Sequence, residues 1–157
     1  MRIELTEDLE LVASVLQHPD LFDRITDDAG SDLKGEKLLS HLRDRQESTL
    51  YLKVLQNDKV VGIFECSETE DGALELHPNM LPEGRKAIGA WACKRVINIL
   101  FNQTNYTKLV GKVPSLRGDV LAFISAIGFK LDYMVEKEYI KNNVEYDMYY
   151  LSLEKGV

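Results

Sequence analysis

One segment, residues 74–90 with the sequence LELHPNMLPEGRKAIGA, constrains the fold more than any other part of the chain. It predicts a strand, a turn around Pro82 and Gly84, and then the start of an amphipathic helix near Arg85. A helix N-terminus carries unpaired backbone N–H groups and the positive end of the helix dipole, so this junction can receive a phosphate group. An ordinary strand-to-helix connection is the alternative interpretation.

Length and composition narrow the class of protein. The chain has 157 residues, and we expect residues 1–157 to form a single domain. Its net charge of −7 disfavours nucleic acid as a partner, because phosphate contacts need concentrated Lys and Arg. No apolar run approaches the roughly 20 residues of a membrane span, and the N-terminal residues do not resemble a signal peptide. We therefore expect a cytoplasmic protein that does not contact membranes.

The cysteines and histidines indicate no metal site. Cys66 and Cys93 lie in apolar neighbourhoods without the spacing of metal ligands, and the three histidines are not at metal spacing either. Buried reduced thiols are the natural interpretation of the two cysteines, although a single disulfide stays open.

Hydrophobic periodicity predicts seven strands and four helices. The predicted strands are residues 2–5, 49–55, 59–66, a fourth that begins at 73, then 108–113, 130–140 and 144–153. The first helix is capped by Thr6, the second runs from about 33 to 46, the third follows Arg85, and the fourth ends at Gly128. Residues 20–31 are predicted to be an irregular acidic loop.

The order of these elements predicts the fold class, which is α/β (α+β). It is β-α-α-β-β-β-α-β-α-β-β, in which successive strands favour antiparallel pairing and the strand-helix-strand unit at 73–113 favours one parallel pair. We expect a mixed, mostly antiparallel sheet of about seven strands with helices on both faces.

This order, with a phosphate-type turn before the third helix, resembles the GCN5-related N-acetyltransferase (GNAT) superfamily. Residues 80–90, MLPEGRKAIGA, are similar to the family's acyl-CoA loop, in which a Pro and then an Arg or Gln precede a Gly-x-Gly/Ala pattern. Residues 122–129, AFISAIGF, are similar to a later helix of the family that ends in Gly-Phe. The sequence HPNMLPEGR, followed further on by AW and VP, resembles small GNAT-like proteins encoded by bacteriophages.

The resemblance implies acetyl-CoA as co-substrate, with no metal. The residues it implies for the pyrophosphate cradle are Arg85, Lys86, Ala87, Ile88, Gly89 and Ala90, and main-chain groups of Met80 and Leu81 would hold the pantetheine arm.

Three positions depart from the family pattern. Ile88 stands where the family usually has Gly, and we expect its β-branched side chain to add bulk facing the phosphates and to limit affinity. Ile124 stands where a Tyr often serves as general acid, and it cannot donate a proton. Arg117 stands where an Asn is common.

Two residues of the fourth strand are candidates for the catalytic base. Glu75 and His77 lie two apart, so their side chains share a face of the strand, and the resemblance implies a base on or near this strand. Histidine is the side chain whose ordinary pKa, about 6.5, best suits that task. Tyr133, Tyr146 and Tyr149 are alternatives for the missing acid. A solvent-facing strand edge without a catalytic role is equally compatible with Glu75 and His77.

These residues lead to one main function hypothesis and two alternatives. The main hypothesis is an acyl-CoA-dependent N-acetyltransferase that moves an acetyl group directly to an unidentified amine, on a small molecule or a protein. The first alternative is a non-catalytic GNAT-fold structural or interaction protein, located in the virion if it is phage-encoded. The second is a module that binds acyl-CoA without turnover. Homodimerisation stays open.

Overall fold

A seven-stranded sheet forms the centre of the computed structural model, which describes residues 1–156. The strands are β1 (Arg2–Thr6), β2 (Thr49–Gln56), β3 (Lys59–Glu68), β4 (Leu74–Met80), β5 (Lys108–Pro114), β6 (Lys130–Lys141) and β7 (Val144–Glu154). The helices are α1 (Leu9–Leu16), α2 (Pro19–Ile25), α3 (Glu36–Asp44), α4 (Ala87–Gln103) and α5 (Gly118–Ile127). Two short 3-10 turns cover Gln46–Ser48 and Pro82–Gly84.

The strand order is β1-β2-β3-β4-β5-β7-β6, and every neighbouring pair is antiparallel except β4 with β5. The predicted mixed sheet and its one parallel pair are therefore confirmed. The β2–β3 hairpin turns at Asn57 and Asp58, and the β6–β7 hairpin at Asn142 and Asn143, all four with positive φ. Asn and Asp tolerate this left-handed conformation, which the tightest hairpin turns require.

The apolar core has two parts, one on each face of the sheet, because side chains along the central strands point alternately to the two faces. Tyr51 and Ile63 belong to a cluster with residues of α1, α2 and α3. Their strand neighbours Leu52 and Phe64 belong to a larger cluster with residues of α4 and α5. Successive side chains of a strand point to opposite faces, so helices cover both faces as expected.

The N-terminal third differs from the prediction in three places. Residues 20–31 are not wholly irregular, because α2 begins at Pro19, where the fixed φ of proline suits the first helical position. Thr6 ends β1 and does not cap α1; the Asp8 carboxylate accepts the capping hydrogen bond from the Leu11 N–H at 3.1 Å. The helix predicted at 33–46 is shorter, spanning Glu36–Asp44.

No helix within residues 1–156 combines the length and the apolar character needed to cross a bilayer. Cys66 and Cys93 are both buried, as expected, and are not bonded to each other.

Candidate active site

The two parallel strands at the centre of the sheet separate after a short contact. Leu74 pairs with Leu109 and Glu75 with Val110, and no further pair joins β4 to β5 within residues 1–156. Beyond this point β4 continues along β3, while β5 continues along β7 to Pro114. The strands therefore diverge towards their C-terminal ends, where α4 and α5 begin.

The gap between β4 and β5 opens into a cleft of about 950 Å³. That volume is at the upper end of the range for small-molecule sites, about 300–1,000 Å³. Its apolar walls come from helices on both sides of the sheet: Leu16, Leu21, Phe22, Ile25 and Leu38 from α1–α3, and Val120, Phe123 and Ile124 from α5.

The tip of the β6–β7 hairpin is tied to the chain that follows α2. The Asp28 carboxylate accepts the N–H groups of Asn142 and Asn143 at 2.8 and 2.9 Å. The Lys141 ammonium donates to the carbonyl oxygens of Asp23 and Thr26 at 2.7 and 2.6 Å. Because Thr26 lines the cleft, this connection bounds the cleft on the side of the hairpin.

The start of α4 faces the cleft and carries no side-chain cap. Lys86 occupies the cap position with φ of 60°, and the first helical hydrogen bond runs from the Ala90 N–H to the Lys86 carbonyl. The N–H groups of the first helical turn lie ahead of that bond and have no acceptor within the helix. Gly89 packs closely here, since a Cβ at this position would lie 3.3 Å from the Gly84 carbonyl oxygen.

The structure brings together some, but not all, of the residues predicted for the coenzyme. Met80, Arg85, Lys86, Gly89 and Ala90 line the cleft, whereas Leu81, Ala87 and Ile88 do not. Two predicted main-chain groups are already engaged: the Leu81 N–H donates to the Val61 carbonyl at 3.0 Å, and the Met80 carbonyl accepts from Arg85 Nε at 3.2 Å.

The expectation that Ile88 places bulk in front of the phosphates is wrong. Its side chain packs against the core cluster between the sheet and α4. Ile88 is the second residue of α4, and the rotation of the helix at that position directs its side chain towards the core.

Glu75 and His77 lie side by side in the cleft, as their spacing predicts. The distance from His77 Nε2 to Glu75 Oε2 is 3.3 Å, and the Lys112 ammonium lies 3.2 Å from Glu75 Oε1. Glu75 is only 14% exposed. Burial alone would raise its pKa, but hydrogen bonding and charge from His77, with the charge of Lys112, outweigh burial and lower that pKa to about 2. Glu75 is therefore ionised at neutral pH and a very weak base.

Sequence reasoning missed three polar residues of this region. Lys112 of β5 contacts Glu75, and Glu65 of β3 forms an ion pair with Arg45 at 3.1 Å. All three line the cleft. One signal was present: Glu65 and Lys112 are charges in the interior of β3 and β5, whose other charged residues lie at the strand ends, and an interior charge needs a partner or a function.

The tyrosines predicted as alternatives to the acid at position 124 lie outside the cleft. Ile124 is buried and lines the cleft, whereas Tyr133, Tyr146 and Tyr149 do not. The tyrosine that does line it is Tyr139, whose hydroxyl donates to the Thr26 carbonyl at 3.1 Å.

The cleft is basic although the protein as a whole is acidic. Its lining contains six basic side chains, Arg24, Arg45, Arg85, Lys86, Lys112 and Arg117, and three acidic ones, Glu65, Glu75 and Asp119. All three carboxylates are engaged in ion pairs. Such a lining attracts anionic ligands. Among residues 1–156, no three His, Cys, Asp or Glu side chains are grouped so that they could hold a metal ion.

Comparison with known proteins identifies the family. The family model described as an acetyltransferase (GNAT) domain matches residues 6–150. No curated protein matches the sequence significantly.

Solved structures share the fold at low sequence identity. Spermidine N-acetyltransferase from Vibrio cholerae, in complex with CoA and spermine, has a TM-score of 0.82 and 13% identity over 98% of this chain and 95% of its own. The protein smu.2055 from Streptococcus mutans has a TM-score of 0.75 and 18% identity, covering 98% and 99%. The protein yncA from Salmonella typhimurium, solved with its cofactor acetyl-CoA, has a TM-score of 0.74 and 13% identity, covering 98% and 92%.

Proposed function

The chain belongs to the GNAT acetyltransferase family, and from that premise we propose that it transfers an acetyl group from acetyl-CoA to a primary amine. The transfer is direct, within a complex of enzyme, acetyl-CoA and amine. One observation carries the proposal: the divergence of β4 and β5 places an uncapped helix start and the Glu75–His77 pair in the same cleft. Anion binding and proton removal, the two tasks of the reaction, thereby share one site.

In this proposal the phosphates of acetyl-CoA bind at the start of α4. The N–H groups of Ala87, Ile88 and Gly89 are free to donate, and the Lys86 ammonium adds positive charge. The pantetheine arm lies in the gap where β4 and β5 no longer pair. Two proteins of similar fold were solved with CoA and with acetyl-CoA, which supports this ligand. The coenzyme supplies the acetyl group as a reactive thioester.

His77 is the proposed base, and Glu75 is the residue that positions it. Glu75 stays ionised and accepts the Nε2–H of a neutral His77, whose other ring nitrogen then receives a proton. The Glu75 carboxylate is already paired with His77 and Lys112, so it does not take the amine proton itself. Lys112 balances the charge of Glu75 from the opposite strand.

The proposed reaction then runs in one sequence. The neutral amine nitrogen attacks the thioester carbonyl carbon, and its proton passes to His77. The tetrahedral intermediate collapses, the C–S bond breaks, and the thiolate of CoA leaves. Ile124 cannot donate a proton, but a thiolate is weakly basic enough to leave without one, and it takes up a proton from solvent after the C–S bond has broken.

Thiol release and mass spectrometry of the amine test this assignment. We expect His77→Ala to lower kcat by roughly 10²-fold or more while leaving the affinity for CoA unchanged. Glu75→Gln should lower kcat less, because the ring of His77 stays in place and loses only the charge that orients it. Glu70→Gln, in an exposed turn, is the matched control. Full activity of the Glu75→Gln/His77→Ala double variant would overturn the roles proposed for both residues.

One observation favours the alternative of an acyl-CoA-binding module without turnover. Ile124 occupies the cleft where the resemblance places the general acid. Binding of acetyl-CoA without acetylation of any primary amine would favour this alternative, and absence of binding would favour a structural role.

A further inference from the structure

Two arginines, Arg24 in α2 and Arg117 just before α5, share a single carboxylate at the edge of the cleft. Arg117 donates from Nε and from a terminal nitrogen to the two oxygens of Asp119, at 3.2 and 3.1 Å. Arg24 of α2 approaches the same carboxylate at 4.0 Å. The Arg117 side chain is 18% exposed and that of Arg24 is 43% exposed, whereas Asp119 is largely in solvent.

A third arginine, Arg85, adds positive charge to this region and contacts backbone carbonyl groups instead of a carboxylate. The guanidinium of Arg85 donates to the carbonyl oxygens of Met80 and Asp20, at 3.2 and 2.9 Å. Within residues 1–156, Asp119 is the only carboxylate within ion-pair distance of Arg24, Arg85 or Arg117. Burial and the charges of Arg117 and Arg85 lower the pKa of Arg24, which reports the same electrostatic crowding.

The three arginines and the start of α4 belong to the same cleft. Arg24, Arg85 and Arg117 line the cleft together with Lys86 and Gly89. Guanidinium groups that line the same part of a cleft repel one another, and an anion with several oxygens relieves that repulsion. Arginine suits this task because its planar fork can bind two oxygens of a phosphate at once.

We propose that Arg24 and Arg117 form a clasp that binds the phosphates of the coenzyme from the α2 side, opposite the start of α4. Asp119 occupies the clasp when no phosphate is bound and competes with the ligand. The clasp rests on the proposed function, since it assumes acetyl-CoA as the co-substrate. It also makes α2, a wall of the cleft, part of the coenzyme site.

Calorimetric titration with CoA and with inorganic pyrophosphate tests the clasp. We expect Arg24→Gln to weaken CoA binding about tenfold, equal to 1.4 kcal/mol. Arg24→Lys, which keeps the charge but loses the fork, should fall between that variant and wild type. Asp119→Asn should tighten CoA binding about threefold or more, because it removes the competing charge. Arg95→Gln changes the net charge equally on the exposed side of α4 and should bind as wild type.

The Asp119→Asn variant separates a clasp from a purely structural tether between α2 and α5. A tether would be weakened by this change, so CoA binding would fall or stay constant, and either result overturns the proposal. Unchanged CoA affinity in Arg24→Gln overturns it as well. If the wild-type protein binds no CoA, the proposed function fails, and the clasp then depends on pyrophosphate alone. Pyrophosphate must then still bind more weakly to Arg24→Gln and more tightly to Asp119→Asn than to the wild-type protein.

Discussion

The position that most directly links the fold to the proposed coenzyme site is Gly84, in the turn before α4. A Cβ added there would lie 2.3 Å from the Val61 carbonyl oxygen and 2.8 Å from Met80 Cε. Ordinary contacts begin near 3.4 Å, so the backbone of the turn would have to move by about 1 Å away from β3. That movement strains the packing, which costs about 1–3 kcal/mol, and breaks the hydrogen bond from Leu81 to Val61, worth about 1 kcal/mol.

Gly84→Ala should therefore lower the free energy of unfolding by about 2–4 kcal/mol. Urea denaturation followed by circular dichroism measures this change, and calorimetry should show weaker CoA binding because α4 is displaced. Gly118→Ala is the matched control, since no atom lies within 4 Å of the added Cβ at the first residue of α5. It should be neutral or stabilise by up to about 1 kcal/mol. Equal denaturation midpoints for the two variants would refute the argument.

Three further predictions concern Ile88, Glu75 and the charge of the cleft. Ile88→Gly should destabilise the protein by about 1–2 kcal/mol, because the side chain loses its packing and glycine has a lower helix propensity. It should not tighten CoA binding. Tighter binding in calorimetry would show that the side chain does face the phosphates. The pKa of Glu75 is lowered from 4.5 to about 2, so its ion pairs stabilise the fold fully above pH 4.5 and lose that effect as the pH falls towards 2. The stability difference between wild type and Glu75→Gln should thus be about 2–3 kcal/mol larger at pH 6 than at pH 2, and a difference independent of pH would contradict the ion pairs. An apolar primary amine such as phenethylamine should have a kcat/KM at least about tenfold above that of spermidine, because a polycation is repelled by a basic cleft; the reverse preference would contradict this.

Much of the sheet was predictable because local patterns determine it. The alternation of apolar and polar residues predicted the strands. Asn57-Asp58 and Asn142-Asn143 are turn sequences whose conformation follows from their side chains. The helix α2 was missed because Pro19 can either end a helix or begin one, and only the contacts of the following residues decide between these roles.

The candidate site was predictable only where it depends on one strand or one turn. The shared face of Glu75 and His77 follows from strand periodicity alone. The partners Lys112 and Arg24 come from β5 and α2, and their approach depends on pairing register and helix docking, which single-sequence patterns do not encode. Ile88 was misjudged because the exact first residue of α4 decides which side chains face the core. The resemblance to bacteriophage proteins stays a prediction.

The central claim is that this protein acetylates a primary amine with acetyl-CoA, and one coupled measurement tests it most directly. Acetyl-CoA is titrated into the purified protein by calorimetry, and the same preparation is then assayed for thiol release with a panel of primary amines. We expect saturable binding of one acetyl-CoA per chain, and release of CoA thiol in equal amount to the N-acetylated amine found by mass spectrometry. No heat of binding, or no acetylated product from any amine while acetyl-CoA is bound, would contradict the account.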